Sequence, residues 1–288
     1  MITELDYLTL IYYFSAFAAS VFLSACIFLI ATSSPHPLVY RNSKEKYFVA
    51  ANGVHICCPS ISENASLDLS VVIPAYNEEE RLPVMLDECI DFLEDNVQSN
   101  GLTYEIIVGI QSTRGRLILF ADADGATKFS DYNKVEKGLF NLLESEDRSM
   151  AEKKLAISIG SRAHLQDEAI ASRSFFRTIL MYGFHCLVWF FAVRGIRDTQ
   201  CGFKLLTRKA AKICFDNLHV ERWAFDVEML YIAQTLKIPI AEVAVNWTEI
   251  DGSKVTPVWS WVQMGKDLGL IWLRYLIGAW KIKEVKEE

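Results

Sequence analysis

Charge is missing from one long stretch of the chain. No Asp, Glu, Lys or Arg occurs between Tyr7 and Tyr40. Its core, Leu8 to Ala31, is almost wholly apolar and long enough to cross a bilayer as a helix. A basic start is missing too: Glu4 and Asp6 precede the run, whereas Arg41, Lys44 and Lys46 follow it. A cleaved leader would carry a basic start and a shorter apolar core. The expectation is therefore an uncleaved anchor, with a buried soluble helix as the alternative. Basic residues gather on the cytosolic side of such helices, which places the N-terminus outside the cytosol and the rest of the chain in it. Cys-x-x-Cys is also absent. The seven cysteines are odd in number and irregularly spaced, with Cys57 and Cys58 adjacent. That argues against a disulfide framework and structural zinc, and fits reduced thiols. A formal net charge of −7 leaves no global basic field, so nucleic acid is not an expected partner. A hydrophobic content of 51% excludes general disorder.

A chain of 288 residues holds one sizeable domain plus additions. Its composition divides it into an anchor (1–34), a linker (35–68), a globular domain (69–258) and a C-terminal amphipathic helix (259–288). The linker is polar, with Asn52-Gly53, Cys58-Pro59 and a Ser/Asn cluster from Ser60 to Ser66. Asn64-Ala-Ser66 and Asn246-Trp-Thr248 are glycosylation sequons that stay bare if they face the cytosol. The β-branched run Leu69–Ile73 predicts a strand stopped by Pro74. A turn over Ala75–Glu80 and a helix from Leu82 to Glu94 follow. Leu82, Met85, Leu86, Cys89 and Leu93 give that helix an apolar face. After the turn at Asn100-Gly101 comes a second strand, Tyr104–Val108. Strand–helix–strand predicts a mostly parallel sheet in an α/β domain, with the ligand site at the strands' C-terminal ends. Further on, a helix is expected over Lys128–Leu143, a charged loop over Glu144–Lys154 and a strand over Leu155–Ile159.

Two aromatic stretches remain. Phe175–Val193 is flanked by Arg173, Arg177, Arg194 and Arg197 and is short for a span. In Trp259–Trp280, aromatics alternate with Lys266, Arg274 and Lys281. Each reads as an interfacial amphipathic helix or as a helix packed on the domain.

The chemistry centres on Leu117–Gly125, where a short apolar strand ends in Asp122-Ala-Asp124. Positions i and i+2 of a strand point the same way. Two carboxylates can then face one site and hold Mg²⁺ or Mn²⁺ against a diphosphate. The alternative is a polar turn after a strand. Tyr76, Asn77 and Glu78 end the first strand at the same edge.

Val71-Val-Ile-Pro-Ala-Tyr-Asn-Glu-Glu79 and Ala121-Asp-Ala-Asp-Gly125 resemble glycosyltransferase family 2, inverting and metal-dependent enzymes with a GT-A fold. Gly160-Ser-Arg162, Arg197-Asp-Thr-Gln-Cys-Gly-Phe-Lys204, Glu221–Glu228 and Val245-Asn-Trp-Thr-Glu249 resemble the eukaryotic dolichyl-phosphate β-glucosyltransferases within it. The resemblance covers nearly everything from Leu69 onward. It implies UDP-glucose as donor, dolichyl phosphate as acceptor and the endoplasmic reticulum membrane as location. It also implies metal ligation by Asp122 and Asp124, and nucleotide contacts from Pro74, Tyr76, Asn77 and Glu78. Asp226 stands where many relatives carry a base. Because an acceptor phosphate is already ionised, the implied role of Asp226 is to orient sugar or acceptor. Arg162, Arg197 and Lys204 are candidates for the lipid phosphate, and Asp198 and Gln200 for the same wall. Alternatives are transfer of mannose to the same acceptor, or a non-enzymatic membrane-anchored protein.

One departure stands out. The family's second strand runs into an acidic Asp-Asp-Gly-Ser turn, followed by a helix and a further strand. Here only residues 109–116 separate Val108 from Leu117. The resemblance thus implies a missing internal block. Physics marks the same place, because adjacent parallel strands need a crossover of about a dozen residues or more. The expectation is that these strands pair differently, or that one shifts.

Overall fold

The structure, a computed structural model, describes residues 4–38, 46–75, 77–145, 147–165, 183, 187–190, 193–221, 224–250 and 259–283. The apolar core of the charge-free stretch, Leu8 to Ala31, lies in helix α1, Glu4–Thr32. At about 1.5 Å per residue its 29 residues reach roughly 43 Å, beyond a hydrocarbon core of about 30 Å. Only 6% of its Tyr7–Thr32 span is buried, so this helix is no core element of the domain. A hairpin follows, β1 (Tyr47–Val49) against β2 (His55–Cys57), inside the stretch that reads as linker.

The domain is one sheet with helices on both faces. In chain order it comprises β3 (Leu67–Val72), α2 (Leu82–Asn100), β4 (Tyr104–Ile107), β5 (Gly115–Ala121), α3 (Tyr132–Leu143) and the short α4 (Met150–Lys153). It continues with β6 (Ile157–Ser161), β7 (Phe203–Thr207), α5 (Arg208–Asn217), α6 (Phe225–Thr235), β8 (Ile240–Ala244) and α7 (Trp259–Leu276). The sheet order is β4-β3-β5-β7-β6-β8. Strand β7 runs antiparallel to both neighbours, and the other pairings are parallel. The run Leu117–Ala121 is apolar throughout because both faces are covered. Leu117, Leu119 and Ala121 pack with α2 and α3. Ile118 and Phe120 pack with α5 and α6. Helix α2 runs past its expected end to Asn100, where Gly101 caps it at φ 65°. Glycine adopts that left-handed geometry without a side-chain clash. The charged loop after α3 contains α4, and Gly160 and Ser161 belong to β6 itself.

The short connection is resolved by strand order. Strands β4 and β5 are not neighbours; both flank β3 in parallel. Residues 108–114 carry the chain from the end of β4 back to the start of β5 without a helix, through a 3₁₀ turn at Ile110–Ser112. Two devices hold this crossing. Ser70 Oγ accepts from the Gly115 amide at 2.7 Å and donates to Glu105, which also takes Arg114. A Cβ on Gly115 would stand 2.4 Å from the Ser70 amide nitrogen, so only glycine fits there. The second device is Arg208, 4% exposed, whose guanidinium donates to the carbonyls of Ser60, Glu63, Thr113 and Gly115. A cation in the first turn of α5 opposes the helix dipole. Here it joins carbonyls of the crossing and the linker, those of Thr113 and Gly115 being buried.

Of the two aromatic stretches, α7 packs on the domain through Leu268 and Ile271, both 1% exposed. Most of Phe175–Val193 lies outside the described residues. Residues 187–190 are helical, with Val188 in the core and Trp189 and Phe190 exposed.

Candidate active site

The expected site residues meet at the C-terminal end of β5. Asp122 follows that strand directly, and its amide donates to the Gly202 carbonyl at 3.0 Å across to β7. A Cβ on Gly202 would lie 1.7 Å from an Asp122 carboxylate oxygen. Glycine in Cys201-Gly-Phe203 is thus what allows the Asp122 side chain its place. Asp124 turns back to accept the Ala126 amide at 3.0 Å, and Gly125 takes φ 70° to complete the turn. A small cleft beside them is lined by Met85, Glu88, Asp122, Asp124, Thr127, Phe129 and Phe203.

Behind Asp122 stands a buried ion pair. Lys204 on β7 is 0% exposed, and its Nζ donates to Asp226 at 2.8 Å and to the Cys201 carbonyl. Asp226 sits in the first turn of α6, where the helix dipole favours an anion. Burial opposes the Lys204 charge, but the Asp226 carboxylate and other negative neighbours outweigh it and hold this amine above its ordinary value. This corrects the expectation of a phosphate-facing Lys204. Its ammonium is enclosed, and it fixes Asp226 instead.

Crowding by protein, and then the Asp226 charge, raise the Asp122 carboxyl to about 6, with Lys204 acting against them. Such surplus negative charge at the cleft fits a divalent cation. Asp122 and Asp124 offer two hard oxygen donors and leave the remaining positions to water and phosphate. Among the described residues there is no group of three or more His, Cys, Asp or Glu placed to enclose a metal by itself.

A second pair forms the adjoining wall. Arg162 clasps Asp198 through Nε at 2.7 Å and Nη2 at 2.8 Å, and its amide adds a third bond. Burial would raise the Asp198 carboxyl, but Arg162 outweighs it and holds this group below the usual range. Gln200 joins through its amide at 3.3 Å. Arg197 lies in the same turn and is exposed.

The β3 side is thinner. Pro74 and Asn77 are exposed, and Asn77 holds φ 54°. Glu78 pairs with Arg81 at 2.6 Å, and Arg81 reaches Asp124 at 4.0 Å. Tyr76 lies outside the described residues. No acidic turn follows β4; its next residue, Val108, is 71% exposed.

Sequence reasoning missed four members: Arg81, Gly202, Glu242 and Trp247. Trp247 lies 5.3 Å from the Arg162 guanidinium. Its neighbour Asn246, the sequon residue, donates its side-chain amide to Asp131. The strip Val245–Glu249 was visible as a motif, but only the fold brings it against Arg162.

No family model matches the chain. Individual relatives do. The chain is 49% identical to the dolichyl-phosphate β-glucosyltransferase of Mus musculus over 315 residues, covering 94% of this chain and 95% of the relative. It is 48% identical to that of Drosophila melanogaster, with 97% of each covered. For Saccharomyces cerevisiae the identity is 35%, with 92% of each covered. Among solved structures, glucosyl-3-phosphoglycerate synthase from Mycobacterium tuberculosis with uridine diphosphate shares 15% identity. That match covers 74% of this chain and 81% of that one, at a TM-score of 0.42. Identity at this level, over nearly the full length of several relatives, shows that the chain belongs to the dolichyl-phosphate β-glucosyltransferases.

Proposed function

We propose that this chain transfers glucose from UDP-glucose to dolichyl phosphate at the endoplasmic reticulum membrane, for protein N-glycosylation. The observation that carries this reading is the near full-length identity to those relatives. The interlocked cluster of Asp122, Lys204, Asp226, Arg162 and Asp198 at the strand ends agrees with it. An oxygen of the acceptor phosphate attacks the anomeric carbon, and the bond from that carbon to the β-phosphate oxygen breaks. UDP leaves with the bonding electrons. The attacking oxygen is already ionised, so no strong base is required. Asp226, fixed by Lys204, orients sugar or acceptor. Arg162 and Arg197 receive the lipid phosphate. Asp122 and Asp124 would hold Mg²⁺ or Mn²⁺, which would offset charge gathering on the leaving diphosphate. Pro74, Tyr76, Asn77 and Glu78 face the nucleotide. Helix α1 anchors the protein with its N-terminus luminal and its domain cytosolic, where it meets a lipid-bound acceptor.

A second reading concerns this form of the chain. On this reading an internal block is missing after Val108, which would lower donor affinity. Two observations favour it. Residues 108–114 cross β3 without a helix, and the alignment to the mouse relative spans 315 positions against 288 residues here. The test is transfer of labelled glucose from UDP-glucose to dolichyl phosphate by the purified full chain. A second protein carrying the mouse segment after Val108 is assayed beside it. Product that depends on Mg²⁺ or Mn²⁺, and that rises when the segment is restored, is expected. Failure of both proteins, or preference for GDP-mannose, would overturn the assignment.

A further inference from the structure

We infer that Glu242 is a positioning residue for the acceptor phosphate: it locks the Arg197–Asp198 turn so that Asp198 presents Arg162 in one fixed pose. The inference rests on the proposed acceptor and adds a part that makes no contact with it. Glu242 stands on β8, opposite Ile159 in the parallel register with β6. Its Oε1 accepts from Ser161 Oγ at 2.6 Å and from the Asp198 amide at 2.9 Å. Its Oε2 accepts from the Arg197 amide at 3.0 Å. One carboxylate thus gathers donors from the end of β6 and from the turn that carries Arg197 and the Asp198 that clasps Arg162.

The next link is Asp198. Its Oδ2 accepts the Arg162 amide and Nε, and its Oδ1 accepts Nη2 and the Gln200 amide. Two of the five guanidinium N–H donors are then engaged, and three remain for an anion. The Trp247 ring lies 5.3 Å from that guanidinium and limits its tilt. The strip carrying Trp247 is pinned on both sides: the Val245 amide donates to the Ser161 carbonyl at 3.1 Å, and the Thr248 amide to the Ala126 carbonyl at 2.9 Å. An arginine held this way loses little rotamer freedom when it meets a phosphate. The acceptor-facing cation is ordered before the acceptor arrives.

Glutamine at position 242 keeps the size but replaces one acceptor oxygen with a donor. That donor would face either the Arg197 amide or the Asp198 amide and Ser161, and the turn loses a fixed point. The test compares Glu242→Gln with the unaltered full chain in lipid nanodiscs. The variant is expected to raise the KM for dolichyl phosphate about tenfold, with kcat and the KM for UDP-glucose changed less than about twofold. The Arg197 and Asp198 amides are expected to exchange with deuterium about tenfold faster in the variant, with or without substrates. Unchanged exchange of those amides overturns the inference. So does an equal loss in all kinetic parameters with a lowered Tm, which marks a merely structural role. An unaltered chain that makes no product even with the mouse segment restored would instead overturn the acceptor assignment, and this inference with it.

Discussion

On the β5–β7 side of the cleft, Lys204 with Asp226 and Arg162 with Asp198 form two mutually engaged pairs, and Glu242 and Trp247 brace the second. On the β3–β4 side, the strands end in exposed Pro74, Asn77 and Val108. The first half is over-determined: each side chain has a partner that would be left buried or unpaired without it. The second half is held from below, at the strand starts, by Ser70, Glu105 and Arg208. Precision at the strand ends and stability of the sheet are therefore supplied by different residues.

That contrast can be broken from either side. The largest effect is expected at the cleft itself. Asp122→Asn removes a hard oxygen donor while keeping the shape beside Gly202, and should lower glucose transfer roughly 100- to 1,000-fold. Circular dichroism should be unchanged, and an unfolded variant would show that Asp122 supports the sheet instead. Next comes Arg208→Ala, which leaves four carbonyls without their shared donor, two of them buried. A loss of about 3 kcal/mol, read from the denaturation midpoint, is expected. A change below about 1 kcal/mol would mean that water replaces the guanidinium.

The smallest effect lies at the start of β3, where Asp68 accepts from Thr103 and pairs with Arg116 at 2.8 Å. Partial burial raises its carboxyl, but the Thr103 bonds and Arg116 outweigh burial and hold it below its ordinary value. A depressed carboxyl adds stability above its unfolded value of about 3.9, and that stability is lost as pH falls through the folded value. Asp68→Asn should flatten the acid limb of the stability curve below about pH 4 and change little near neutrality. An identical acid limb in both proteins would remove Asp68 from the account.

The sheet edge was legible because its signals are local. Apolar runs mark β3 and β5, and Asp122-Ala-Asp124 marks the cleft, whereas the expected end of α2 at Glu94 fell short of Asn100. Lys204 was misplaced because its sequence position shows a cation and not its enclosure; only the packing of α6 on β7 turns it inward. Glu242 carries no local signature and Trp247 only its place in a motif; their roles arise from the β6–β8 register and the turn at Arg197. The short crossing was visible as a spacing problem, but its solution was not. That solution depends on β3 lying between β4 and β5, and on Arg208, which comes after both strands in the chain.

The last described residues of the chain return to its first helix. The Lys281 amide donates to the Pro35 carbonyl at 2.9 Å, just past α1. Asn217 bonds Lys283 at the end of α5, and Trp280 stacks on His219 at 4.3 Å. The segment after α1 and the segment after α7 therefore share one mooring. A pull on α1 would pass directly into α5 and the start of α6, where Asp226 sits, without first drawing out the length of chain before β3. Mechanically, α1 is tied to the domain at the segment that joins α5 to α6.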